Sequence, residues 1–213
     1  MLDKWTAPLT QPPLKKIASW LNHYGIKPDQ VTITGFLIGM MAIPLLAFEH
    51  YLPALALILS NRIMDGLDGV LARLNTPSDA GGFLDITLDF IFYSGIVMGF
   101  ALASPATNAV AACVLIFSFM GTGSSFLAYA IMAEKHQLSD PYFKHKSLYY
   151  LGGLAEGTET ILLFVLFCLL PDYFPQLALG FSAICILTAA LRVWSGYQSI
   201  DQAEREKCHG SAT

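Results

Sequence analysis

Six apolar runs, each about 20 residues long, divide this chain: Val31 to Phe48, Leu52 to Ala72, Phe83 to Ala103, Asn108 to Met132, Leu154 to Leu170 and Leu177 to Tyr197. About 20 residues of α-helix cross a hydrocarbon core. An unpaired backbone group in hydrocarbon costs several kcal/mol, and an α-helix pairs its own. The runs therefore predict an all-α integral membrane fold of six transmembrane helices, taken as one domain over residues 1–213. Composition agrees, because only 13% of the residues are charged and 54% are hydrophobic, against roughly 25% charged in a soluble domain.

Orientation follows from Lys and Arg, which are retained on the cytoplasmic side. With the first span starting inside, the turns Glu49 to Tyr51, Ser104 to Thr107 and Pro171 to Pro175 face outward, and none contains a basic residue. All 12 Lys and Arg residues then lie in or beside cytoplasmic segments, so a multi-pass protein with both termini cytoplasmic is expected. The N-terminal stretch MLDKWTAPLTQPPLKK lacks the apolar core of a cleavable signal peptide, which leaves insertion to the first span. A net charge of −4 argues against a nucleic-acid partner, which needs a concentrated basic face. Cys113, Cys168, Cys185 and Cys208 show no CxxC pairing and read as structural.

Ahead of the first span, Leu14, Ile17, Ala18, Leu21 and Tyr24 recur at helical spacing with Lys15, Lys16, Asn22 and His23 between them. Pro12 and Pro13 suit the start of such a helix and Gly25 its stop. The segment 1–30 is thus expected to be an interfacial amphipathic one, either lying in the headgroup layer, packing on the cytoplasmic ends of other helices, or both.

The second and third runs carry charge where charge is expensive, in NRIMDGLDGVLARLNTPSDAGGFLDITLDF, Asn61 to Phe90. An aspartate at the centre of a membrane helix costs roughly 2.5 to 3.5 kcal/mol on insertion scales. Asp65 and Asp68 are three apart and Asp85 and Asp89 four apart, so each pair shares a helical face. Only the polar turn Asn75 to Ala80 separates the two helices, which brings both faces to the same end of an antiparallel pair. Four converging carboxylates repel unless cations relieve them. An all-oxygen ligand set favours Mg²⁺, Mn²⁺ or Ca²⁺ over zinc, and two ions would balance the four charges. Gly66, Gly69, Gly81 and Gly82 clear space for a close approach, and Arg73 offers a fork suited to phosphate. Two other uses of the same residues stay open at this point: aspartates pairing with Arg62 and Arg73 to hold helices together, and a cation or proton pathway of a transporter. No inverted internal repeat is visible, which favours an enzyme over a transporter.

These residues resemble the signature of the CDP-alcohol phosphatidyltransferases, D-x2-D-G-x2-A-R, a gap, then G-x3-D-x3-D. Here it reads Asp65, Asp68, Gly69, Ala72, Arg73, Gly81, Asp85 and Asp89, with seven residues, Leu74 to Ala80, in a gap that is usually eight. Pro28-Asp29-Gln30-Val31-Thr32 looks like the family's P-N-x-x-T, with Asp29 where Asn is usual. Over its full length the chain looks most like bacterial inner-membrane members. The resemblance implies a homodimer that moves a phosphatidyl group from CDP-diacylglycerol to a small alcohol such as glycerol 3-phosphate and releases CMP, in phospholipid biosynthesis. It implies Mg²⁺ or Mn²⁺, as two ions on Asp65, Asp68, Asp85 and Asp89, with Asp89 the catalytic base. It further implies that Gly66, Gly69, Ala72, Arg73, Gly81 and Thr32 bind the CDP moiety.

Acceptor residues lie outside this motif. Lys135, Lys144, Lys146 and Arg192 could meet an acceptor phosphate or simply set topology. Glu156 and Glu159, on one face at the start of the fifth span, could pair with such cations or bind acceptor hydroxyls or an amine. The stretch GTGSSF, Gly121 to Phe126, reads as small-residue helix packing, and His136 and His145 read as solvated.

Overall fold

The structure, a computed structural model, describes residues 3–136 and 157–210, with side chains over 12–136 and 157–205. Among these residues all regular structure is helical: α1 (Asp3–His23), α2 (Pro28–Met40), α3 (Ala42–Ala47), α4 (Tyr51–Leu74), α5 (Asp79–Ala103), α6 (Pro105–Lys135), α7 (Gly157–Leu169), a short 3₁₀ turn (Pro171–Tyr173) and α8 (Phe174–Gly210).

Among the described residues, four helical segments are long and apolar enough to cross a membrane: Pro28–Ala47, Asp79–Ala103, Pro105–Lys135 and Pro171–Arg205. The other two expected spans differ for visible reasons. Helix α4 has the length, at 24 residues, but Arg62, Asp65, Asp68 and Arg73 interrupt its apolar character. Helix α7 has 13 described residues, and the expected start at Leu154 lies outside the described residues. The first span is jointed at Met41. Pro44, the third residue of α3, has no N–H to return to the carbonyl of Met40, so the helical ladder is interrupted there.

Helix α1 starts at Asp3, and Pro12 and Pro13 are carried inside it, each forfeiting one ladder bond. Its end is as expected. Gly25 adopts φ 72, and the bonds from Ile26 N–H to Leu21 O (3.2 Å) and from Gly25 N–H to Asn22 O (3.0 Å) close a Schellman motif. Leu14, Ala18, Leu21 and Ile26 pack against Leu67, Val70 and Leu71 of α4. Ile17, Trp20 and Tyr24 stay exposed on the other side.

Small residues let α2 and α3 press into α4 and α5. A Cβ built at Gly35 falls 2.8 Å from Met64 Cβ, and one at Gly39 falls 2.7 Å from the Phe92 ring and 2.9 Å from Asn61 Cγ. Ser78 caps α5 by accepting from Gly81 N–H at 3.1 Å, and Asn75 closes α4 by donating to Leu71 O at 2.9 Å. The α4–α5 corner is therefore fixed, and with it the register of the aspartates. From Phe92, beside the site, toward the other end of these helices, Phe92, Phe100, Phe164, Phe167 and Phe174 form a fully buried aromatic core. Its closest ring pairs are Phe167 with Phe174 at 4.6 Å and Phe100 with Phe174 at 5.0 Å.

Helices α6 and α8 form the other closely packed pair, and a Cβ built at Gly121 of GTGSSF would fall 3.5 Å from Ala189 Cβ. Helix packing is what that stretch does. Helix α8 continues past the expected end at Tyr197 to Gly210, with an exposed Arg205–Asp201 pair at 2.9 Å on one of its turns. This extension corrects one expectation. It brings Glu204 to 3.6 Å from His136 Nε2, and the His136 side chain is 10% exposed instead of solvated; His145 lies outside the described residues.

Candidate active site

Helices α4 and α5 deliver the four aspartates to one end of the bundle, as the i,i+3 and i,i+4 spacings require. One carboxylate oxygen each from Asp65, Asp68 and Asp85 lies within 4.8 Å of the other two. Asp68 is 5% exposed, and its Oδ2 is buried without a hydrogen-bond partner. A buried oxygen left bare beside two further carboxylates is unfavourable for the protein alone. It is the arrangement that a hard divalent cation relieves, so these residues fit one.

Asp89 is used differently. Its Oδ1 accepts from Arg62 Nη2 at 2.7 Å, and it lies outside the three-carboxylate group. Arg62 is held on every nitrogen it offers: Nε donates to Asn61 Oδ1 at 2.8 Å and Nη1 to the Tyr93 hydroxyl at 3.0 Å, with Asp65 Oδ2 3.6 Å away. Its carbon sits 4.7 Å from the Phe92 ring centroid. Asn61 in turn donates to Gly35 O of α2 at 2.9 Å, which couples the first span to the site.

Two voids meet at the carboxylates. The larger, ≈ 620 Å³, is lined by Thr32, Asp68, Gly69, Ala72, Arg73, Gly81 and Asp85, together with Lys27 and Asp29 at the start of α2 and the corner Asn75 to Ser78. The smaller, ≈ 10 Å³, is lined by Arg62, Asp65 and Asp89 among others. Thr32, Asp68 and Asp85 belong to both. Of the residues expected at a CDP moiety, Thr32, Gly69, Ala72, Arg73 and Gly81 therefore surround one cavity. Gly66 does not line it; a Cβ there would meet Leu14 Cδ1 of α1 at 3.1 Å.

The residues expected at an acceptor are not gathered here. Lys135 is exposed at the end of α6, and Glu156, Lys144 and Lys146 lie outside the described residues. Glu159 is half-buried in the first turn of α7. Arg192 is 9% exposed, donates to Thr122 O at 3.1 Å and stacks 5.6 Å from Phe126, lining neither void. Arg62, expected only as a partner holding helices together, stands in the site itself, and Asn61 and Tyr93 join it there unexpected. Spacing carries the signal, since Arg62 is three before Asp65 and Tyr93 four after Asp89.

Comparison with known proteins bears on this geometry. The family model described as CDP-alcohol phosphatidyltransferase matches residues 26–194. The chain is 53% identical to the inner membrane protein YnjF of Escherichia coli over 206 residues, 97% of this chain and 100% of the relative. It is 38% identical to the archaetidylinositol phosphate synthase of Pyrococcus horikoshii over 125 residues, 56% of this chain and 64% of the relative. A crystal structure of Mycobacterium tuberculosis phosphatidylinositol phosphate synthase with CDP-DAG bound shares the fold with TM-score 0.54 and 22% identity, over 89% of this chain and 92% of that one. The same enzyme in complex with manganese and citrate gives TM-score 0.61 and 18% identity, over 86% and 88%.

Proposed function

Because the chain belongs to the CDP-alcohol phosphatidyltransferase family, a class of membrane transferases of phospholipid biosynthesis, we propose that it transfers a phosphatidyl group from CDP-diacylglycerol to a small alcohol and releases CMP. The observation that carries this reading is the carboxylate group shared by two voids, one of them wide and furnished with Arg73 and small residues. The structural neighbour with CDP-DAG bound supports the donor.

In this reading Asp65, Asp68 and Asp85 hold Mg²⁺ or Mn²⁺, manganese being the ion in the second neighbour structure. A divalent ion there offsets negative charge on a diphosphate and on the oxygen that leaves it. Arg73 binds a diphosphate oxygen through its fork, and Gly69 and Gly81 admit the diphosphate close to the backbone. Thr32 and Ala72 line the path of the nucleotide. Gly66 acts indirectly, by letting α1 close over α4. Asp89 takes the proton of the acceptor hydroxyl as that oxygen bonds to the phosphatidyl phosphorus and the bond to the CMP oxygen breaks.

For the acceptor we propose a polyol phosphate. Glycerol 3-phosphate is the first to test, and the name of the Pyrococcus relative makes an inositol phosphate the second. Lys135, Glu156, Glu159 and Arg192 stay as the candidate acceptor residues. We further propose one membrane domain over residues 1–213 in the cell inner membrane, with six spans, α4 and α7 among them, both termini cytoplasmic, and a homodimer as the family resemblance implies. Trp20 and Tyr24, exposed on α1 at 59% and 65%, support an interfacial position for that helix.

The test is purified protein with radiolabelled CDP-diacylglycerol, Mg²⁺ or Mn²⁺, and each acceptor in turn, reading CMP release and lipid product. Metal-dependent CMP release with one acceptor is expected. Ion flux in vesicles with no CMP release for any acceptor would reject the reading.

A further inference from the structure

Arg62 is held on all three of its side-chain nitrogens, and it stands against Asp89, the motif aspartate that lies outside the carboxylate group. Its side chain is 12% exposed. Three of its nitrogens are committed, to Asn61, Tyr93 and Asp89, and the Phe92 and Tyr93 rings lie 4.7 Å and 5.2 Å from its carbon. A planar guanidinium fixed this way presents its fork in one direction, and here that direction is the Asp89 carboxylate at 2.7 Å. Asn61 braces it from behind through Gly35 of α2. The cleft that these side chains fill retains only ≈ 10 Å³, about one water-sized probe.

A carboxylate hydrogen-bonded to a guanidinium at 2.7 Å, as Asp89 is, is a poorer ligand for a second cation than one standing 3.6 Å from it, as Asp65 does, since the closer pair shares more of the carboxylate's charge and the two positive centres repel each other. We propose that Arg62 is a positioning residue that withholds Asp89 from metal: without substrate the chain takes one divalent ion tightly, at Asp65, Asp68 and Asp85. A second ion, as the family resemblance implies, binds only once Asp89 leaves Arg62. This rests on the metal reading above and adds to it what a residue outside the shared motif does.

The experiment is a titration of the full-length, detergent-solubilised protein with Mn²⁺ alone, following free Mn²⁺ and the bound spectrum by electron paramagnetic resonance. Wild type is expected to bind one ion tightly, with a second at least about tenfold weaker. Arg62→Gln should bring the second ion to comparable affinity, with the spin–spin broadening of a close pair. Asp89→Asn decides the matter if Arg62→Gln does not fold: it should leave the single tight ion in place. Two equally tight ions in wild type, or loss of the tight ion in Asp89→Asn, would overturn the proposal and leave the metal reading standing. Wild type with no bound Mn²⁺ that Asp68→Asn removes would overturn both.

Discussion

Gly69→Ala separates the two demands on α4, because the structure assigns opposite signs to its effects on stability and on activity. Gly69 lies inside the helix, five residues before its end at Leu74. A Cβ built there meets Arg73 Nη1 at 3.6 Å and Nη2 at 4.0 Å, ordinary van der Waals distances to the end of a flexible side chain, so no repacking is needed. Replacing a helix-interior glycine with alanine stabilises by about 0.8 to 1.0 kcal/mol. For a chain of this length that raises Tm by about 2–4 °C. The same methyl projects into the ≈ 620 Å³ cavity that the proposed function gives to the CDP moiety. A misplaced methyl in a binding pocket costs about 1–3 kcal/mol, or about 10–200-fold in kcat/KM. Thermal unfolding in detergent and CMP release should be measured on one preparation. A lowered Tm would refute the packing inferred around Gly69, and an unchanged kcat/KM would refute the donor cavity.

Gly39→Ala tests the opposite case: its Cβ would fall 2.7 Å from Phe92 and 2.9 Å from Asn61, so overpacking should destabilise by about 1–3 kcal/mol, seen as a lower Tm. Asp68→Asn removes the charge of the most buried carboxylate of the group. Mn²⁺ binding should be lost and CMP release should fall by about 100-fold or more, as loss of several kcal/mol of electrostatic stabilisation implies. Asp89→Asn should lower kcat by about 10²–10⁴-fold with donor KM little changed, the signature of a lost general base; full activity in this variant would remove Asp89 from that role.

The helices were legible because lipid-compatible runs are long and α-helical by necessity, and because Ser78, Gly25 and Asn75 are strong local end signals. The carboxylate group was legible because three- and four-residue spacing is the helix period itself. What escaped depends on contacts between distant segments. Arg62 meets Asp89 across 27 residues and Arg192 meets Thr122 across 70; helical spacing puts Arg62 on the aspartate face but does not pair it with Asp89, and nothing local pairs Arg192 with Thr122. The extension of α8 escaped for another reason: from Gln198 onward the sequence is polar, and hydropathy does not register a helix that bears exposed pairs such as Asp201–Arg205. The joint at Met41 was readable in principle, since Pro44 stands inside an apolar run.

The two voids give the site a direction. An in-line displacement needs the attacking and leaving oxygens on opposite sides of phosphorus. Thr32, Asp68 and Asp85 face both voids, with Arg73 and Gly81 on one side only and Arg62, Asp65 and Asp89 on the other. On the proposed reaction CMP departs through the wide cavity, so the acceptor hydroxyl must come from the side of Asp89. That side is also where α7 begins, because a Cβ at Gly157 would lie 3.8 Å from the Tyr93 hydroxyl that binds Arg62. The turn bearing Glu159 thus borders the route to the base, while Arg192 is tied to α6 through Thr122. On this reading acceptor choice belongs to the start of α7, and the aspartate motif, to which the proposed function gives the donor, says little about it: every acceptor of this chemistry would present the same hydroxyl to the same carboxylate.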